Sequence, residues 1–152
     1  MTSQEIIKVL PYKRPFLFVD SLESLSEDGA TGTYKLREDE YFYEGHFPEN
    51  PVTPGVIITE IMAQIGLVSL GIFLVYENSD KSDSFVPLFS SANVDFLKPA
   101  YPGDTLRVSS KKVYFRFGKL KCLVECQNLT TGEAVCKGEF SGMIIKKDSI
   151  EK

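Results

Sequence analysis

The sequence predicts an α+β fold in which an antiparallel sheet of about six strands wraps one long central helix. Three observations predict it. From Gly55 to Tyr76 the chain reads GVIITEIMAQIGLVSLGIFLVY, 22 residues with a single charge, which is too apolar for a helix with one face in water. Segments of strand character punctuated by turn signals stand on both sides of it. A chain of 152 residues with 43% hydrophobic side chains is long enough to bury one sizeable core, so one domain over 1–152 is expected, with a frayed polar tail at 147–152.

The elements follow in order. Ser3 to Val9 reads as a short amphipathic helix with Ser3 as N-cap, ended by Pro11. Phe16 to Leu25 and Ala30 to Leu36 read as strands joined by the turn Ser26 to Gly29. The stretch from Arg37 to Pro54 holds Pro48, Pro51 and Pro54, which cannot continue a helix or a central strand, so it is expected to be irregular. After the long helix, a polar loop near Glu77 to Ser84 leads to a strand over Phe85 to Leu97. A turn at Pro99 to Asp104 follows. Thr105 to Phe117, Lys119 to Asn128 and Glu133 to Lys146 are three further strands, separated by Gly118 and by the TTG turn at Thr130 to Gly132.

Composition narrows the function. With 17 Lys+Arg against 21 Asp+Glu the chain is net −4, which argues against nucleic-acid binding by bulk charge. Cys122, Cys126 and Cys136 lack CxxC spacing and are expected as small buried residues in a reducing cytosol. The start, MTSQEIIKVLPYKRP, shows no apolar run behind a basic segment, so a cytoplasmic location is expected. The long helix could span a bilayer by length, yet Glu60 and Gln64 lie in its first half and no basic cluster flanks it, so a core helix is expected rather than a membrane span. One histidine, His46, excludes any site needing two imidazoles from one chain.

The chemistry concentrates in GHFPENPVTPGVIITEIMAQIG, Gly45 to Gly66. Pro54 and Gly55 stand where the irregular loop enters the helix, and the first-turn N–H groups there suit an oxyanion or a thioester carbonyl. Glu60 sits among Ile57, Ile58, Ile61 and Met62, where desolvation favours its protonated form, as a general acid requires. Gln64, four residues on, can reach that carboxyl group. His46, on the proline-stiffened loop, is a ready base. A base, an acid and an anion-binding backbone suggest proton abstraction beside a carbonyl with loss of a leaving group. Taken singly, each has a plainer role: a loop histidine on the surface, a structural ion pair, a turn.

In combination, GHFPENPVTPGVIITEIMAQ resembles the signature of the beta-hydroxyacyl-acyl carrier protein dehydratases of the FabZ type, which have the hotdog fold. LPYKRPFLFVD, Leu10 to Asp20, is similar to the family's opening motif, and VDFLKPAYPGD, Val94 to Asp104, to its later strand and turn. The resemblance implies that His46 is the catalytic histidine and Glu60 the catalytic acid. Gly55 would supply the N–H that polarises the thioester carbonyl, Gln64 would orient the acid, and the carbonyl of Val52 would hold the histidine's other nitrogen. It implies a substrate carried on the phosphopantetheine of acyl carrier protein, no metal or other cofactor, and a dimer whose two protomers share each active site. Larger assemblies of dimers, or a heterodimer, remain open. Glu60 in place of Asp favours the FabZ type over its FabA relative.

Lys98, Lys13, Arg14 and Arg116 are candidates for docking the acidic carrier protein, and Phe47, Leu88 and Phe89 for lining an acyl tunnel. Three positions depart from the family pattern: Tyr12 replaces a histidine, Thr53 a common methionine, and Pro87 falls near a tyrosine that gates the tunnel. They leave acyl length and pathway, housekeeping or specialised, open. Two other readings stand beside the dehydratase: an acyl thioesterase, and a non-catalytic hotdog partner or acyl-binding subunit.

Overall fold

A computed structural model describes residues 1–80 and 82–150. Six antiparallel strands form one sheet in the order β1-β2-β4-β5-β6-β3, with β1 Ser21–Ser26, β2 Gly29–Lys35, β3 Phe85–Phe96, β4 Thr105–Arg116, β5 Lys119–Asn128 and β6 Ala134–Lys146. The sheet wraps a helix, α2, over Gly55–Glu77, and 78% of its most apolar stretch is buried inside the fold. That burial accounts for its hydrophobicity without a membrane. A shorter helix, α1 (Ser3–Val9), carries Ile6 into the same core.

Period-two alternation builds the concave face. Along β5 the buried residues are Leu120, Cys122, Val124, Cys126 and Asn128, and the residues between them face outward. All three cysteines are free and buried, and burial pushes the Cys122 and Cys126 thiols up to about 12, which makes them poor nucleophiles at neutral pH.

Some expected boundaries move. The cap of α1 is Thr2, not Ser3: the Thr2 hydroxyl accepts the Glu5 N–H while the Glu5 carboxylate accepts the Thr2 N–H, a reciprocal box that Ser3 cannot form from inside the helix. The first strand starts at Ser21 rather than Phe16, because the Phe18 N–H and the Phe16 carbonyl are taken by the Gln64 side chain instead of a neighbouring strand. The irregular stretch contains a 3-10 turn, Tyr41–Glu44. Of the tail expected to fray, Lys147–Ile150 form a short helix, α3, while residues 151–152 lie outside the described residues.

Two features position the site. The middle of α2, Ala63–Val68, is a π-helical turn in which the Gln64 carbonyl accepts both the Ser69 N–H and, at 2.7 Å, the Ser69 hydroxyl. At the other end of the molecule's sheet, β3 pairs only with β6, so its outer edge is unpaired among the described residues. Leu88, Phe89, Phe96 and Leu97 along and just past it are 45–52% exposed. Pro87 is tolerated in β3 because an edge strand needs hydrogen bonds on one side alone.

Candidate active site

Gln64 is the hub. Its Nε2 donates to Glu60 Oε2 and to the Phe16 carbonyl, both at 2.9 Å, and its Oε1 accepts the Phe18 N–H at 2.8 Å. The two backbone contacts fix which end of the amide carries nitrogen, so the Glu60 carboxyl group meets a donor. Glu60 itself faces a cavity of about 250 Å³ lined by Tyr12, Phe16, Leu67, Val68 and the β3 residues Pro87, Leu88 and Phe89, closed by Gly142, Met143 and Ile144 of β6. Desolvation in this apolar setting raises the Glu60 pKa above the ordinary carboxylate value, against a smaller lowering by the Gln64 hydrogen bond.

That shift has a measurable consequence for stability. The folded-state pKa lies above that of the unfolded chain, so the contribution of the protonated carboxyl is present below the usual carboxylate range and is lost as pH rises through the raised value. Glu60→Gln, which cannot ionise, is expected to have a higher denaturation midpoint than the parent at about pH 8 and to converge on it at about pH 4. Equal midpoints at both pH values would contradict a desolvated Glu60.

His46 is held with equal definition. Its Nδ1 donates to the Val52 carbonyl at 2.8 Å. A carbonyl only accepts, so Nδ1 carries a proton, and Nε2 is the ring nitrogen left free of this contact. The loop is closed behind it by the Val52 N–H on the His46 carbonyl at 3.0 Å and the Thr53 N–H on the Ala100 carbonyl at 2.9 Å. Thr53 is buried, and its hydroxyl shares a 2.6 Å hydrogen bond with the Tyr43 hydroxyl. A methionine there would forgo this tie between the 3-10 turn before His46 and the loop after it.

Pro54 caps α2 and Gly55 begins it, so the Gly55 N–H has no partner within the helix. A Cβ at Gly55 would lie 3.0 Å from Phe96 Cζ, which restricts the position to glycine unless the ring shifts.

The chain therefore places Val52 with His46, and Gln64, Leu88 and Phe89 with Glu60. His46 is not among the residues lining the Glu60 cavity, and Phe47 stacks on the His46 ring, 4.2 Å between centroids, rather than joining Leu88 and Phe89. The basic candidates are scattered. Lys98 pairs with Glu133, Arg14 with Asp20, Arg116 lies over the Tyr114 ring and Lys13 is exposed. The β6 wall and Tyr12 are site residues that the sequence does not single out: Gly142, Met143 and Ile144 line the cavity consecutively, with no alternation to mark them.

A family model described as the FabA-like domain matches residues 10–139. The chain belongs to the FabA-like family. Among relatives of this FabA-like chain, the 3-hydroxyacyl-acyl-carrier-protein dehydratase FabZ of Clostridium perfringens is 35% identical over 145 residues, covering 92% of this chain and 96% of that one. The same-named protein of Geobacter metallireducens is 34% identical over 148 residues, covering 96% and 95%. Among solved structures, the dehydratase heterocomplex ApeI:P from Xenorhabdus doucetiae superposes with a TM-score of 0.79 at 14% identity, covering 99% of this chain and 95% of that one. A hypothetical thioesterase from Streptococcus pneumoniae gives 0.57 at 16%, covering 82% and 84%. At such identities these structures speak for the shared hotdog architecture alone.

Proposed function

We propose that this chain dehydrates a (3R)-hydroxyacyl group, carried as a thioester on the phosphopantetheine arm of acyl carrier protein, to the trans-2-enoyl thioester in fatty acid or related acyl-chain synthesis. The observation that carries it is the half-buried Glu60 carboxyl, facing an apolar cavity, raised in pKa and gripped by Gln64, in a family whose curated relatives are named as these dehydratases. His46 Nε2 takes a proton from C2 of the acyl chain while the Gly55 N–H meets the developing negative charge on the thioester oxygen. The C2–C3 double bond forms, the C3–O bond breaks, and the departing oxygen takes the Glu60 proton and leaves as water. Water is lost without electrons passing to an outside acceptor, so the reaction calls for no redox cofactor, and the Glu60 proton and the Gly55 N–H do the work a metal would otherwise do.

The reading needs a second copy of the chain, because the base lies outside the lining of the acid's cavity. The open edge of β3, with its half-exposed Leu88, Phe89 and Phe96, supports edge-to-edge pairing in a dimer whose active sites combine His46 of one copy with Glu60 of the other. A heterodimer would use the same edge, whereas a higher assembly of dimers would need a further surface. Residues 1–152 act as one domain in the cytoplasm, and the acidic carrier protein docks on local basic groups drawn from Lys98, Lys13, Arg14 and Arg116. A thioesterase would need an ionised carboxylate to attack or to activate water, and desolvation of Glu60 works against that form.

The test is to supply (3R)-hydroxyacyl and enoyl thioesters to the purified protein and to follow enoyl absorbance and free thiol together. Interconversion without thiol release is expected. Thiol release would overturn the reading in favour of the thioesterase.

A further inference from the structure

Through Gln64, the helix fastens the opening segment across its own surface, and this brings Tyr12 to the wall of the Glu60 cavity. The remaining lining side chains, Phe16, Leu67 and Leu88 among them, are apolar, so Tyr12 and Glu60 are the two polar side chains of that wall. The Tyr12 hydroxyl has no hydrogen-bond partner among the described residues. No side-chain nitrogen or oxygen that is sealed from solvent lacks a partner there, so the Tyr12 hydroxyl is not sealed in packed protein, and its side chain lines the cavity that Glu60 faces. Burial foremost, and then the Glu60 charge, raise the phenol's pKa, which keeps it protonated and able to donate. Gln64 occupies Glu60 Oε2, leaving Oε1 for the catalytic proton.

A hydroxyl entering an apolar cavity brings one donor and two acceptor sites, and each left unpaired costs binding. Glu60 can serve one lone pair of that oxygen. We propose that Tyr12 serves the other: its hydroxyl donates to the 3-hydroxyl oxygen of the acyl chain, making Tyr12 a second catalytic residue on the leaving-group side and a selector for chains that carry the hydroxyl. The inference rests on the dehydratase reading above. In the step itself the C3–O electron pair goes to the oxygen, the Glu60 proton joins it, and the Tyr12 proton stays on the phenol, hydrogen-bonded to the departing water.

Tyr12→Phe, which keeps the ring and removes the donor, tests this with the (3R)-hydroxyoctanoyl thioester of N-acetylcysteamine and with the octanoyl thioester lacking the hydroxyl. Expected are a loss of about tenfold in kcat/KM for the hydroxyacyl compound and unchanged affinity for the octanoyl compound. Unaltered kcat/KM, or equal weakening of both compounds as a merely structural wall would give, overturns the proposal. Glu60→Gln run alongside separates it from the reading beneath. An active Glu60→Gln sinks the acid assignment and Tyr12's role with it, whereas an inactive one beside an unimpaired Tyr12→Phe sinks the role of Tyr12 alone.

Discussion

Glu60→Gln and His46→Ala are each expected to lower the dehydration rate by about 10²–10⁴-fold, the range that a positioned acid or base contributes. Glutamine at 60 is nearly isosteric and can still accept from Gln64 Nε2, yet it holds no proton that a departing hydroxyl can take. Alanine at 46 removes the only imidazole of the chain and leaves the Val52 carbonyl without its partner. Enoyl absorbance measures the rate, and the denaturation midpoint shows that the variants fold. Either variant keeping more than a tenth of the parental rate would remove that side chain from the mechanism.

Gln64→Leu is expected to have the largest combined effect on stability and rate. Three hydrogen bonds depend on this one amide, two of them to backbone groups of the opening segment. Leucine matches its volume but leaves the buried Phe18 N–H unpaired, at about 1–3 kcal/mol, and the part-buried Phe16 carbonyl unpaired at a smaller cost. Glu60 loses the contact that fixes its rotamer, so the rate falls along with the unfolding free energy. Gln64→Glu keeps the size but faces the Phe16 carbonyl and Glu60 with oxygen in place of N–H, and it should rescue neither. Urea unfolding of both variants beside the parent measures the stability loss; a Gln64→Leu variant as stable as the parent would show that the opening segment does not depend on this clamp.

What could be read before the structure was mostly local. Helix entry at Pro54 and Gly55 follows from proline and glycine chemistry, and the Glu60–Gln64 contact from a spacing of four. The concave face of β5 follows from alternation. Contacts across long sequence separation were not legible in the same way. Phe16 to Asp20 looks like the start of a strand because phenylalanine, leucine and valine suit one, yet its polar backbone atoms are claimed by a side chain 46 and 48 residues away. The same clamp decides where Tyr12 ends up, so its place opposite Glu60 could not be seen from its neighbours. Thr53 read as a departure from a family pattern, and its bond to Tyr43 supplies the physical sense of it.

The central claim is that the base and the acid of one active site come from two copies of the chain. Mixing His46→Ala with Glu60→Gln in equal amounts, under conditions of subunit exchange verified by mass spectrometry of tagged copies, tests it directly. Half of the dimers then contain both variants, and each of these holds one site with intact His46 and intact Glu60. The account predicts recovery of about a quarter of the parental dehydration rate from two inactive preparations. A mixture that exchanges subunits fully and stays as inactive as its parents would contradict it.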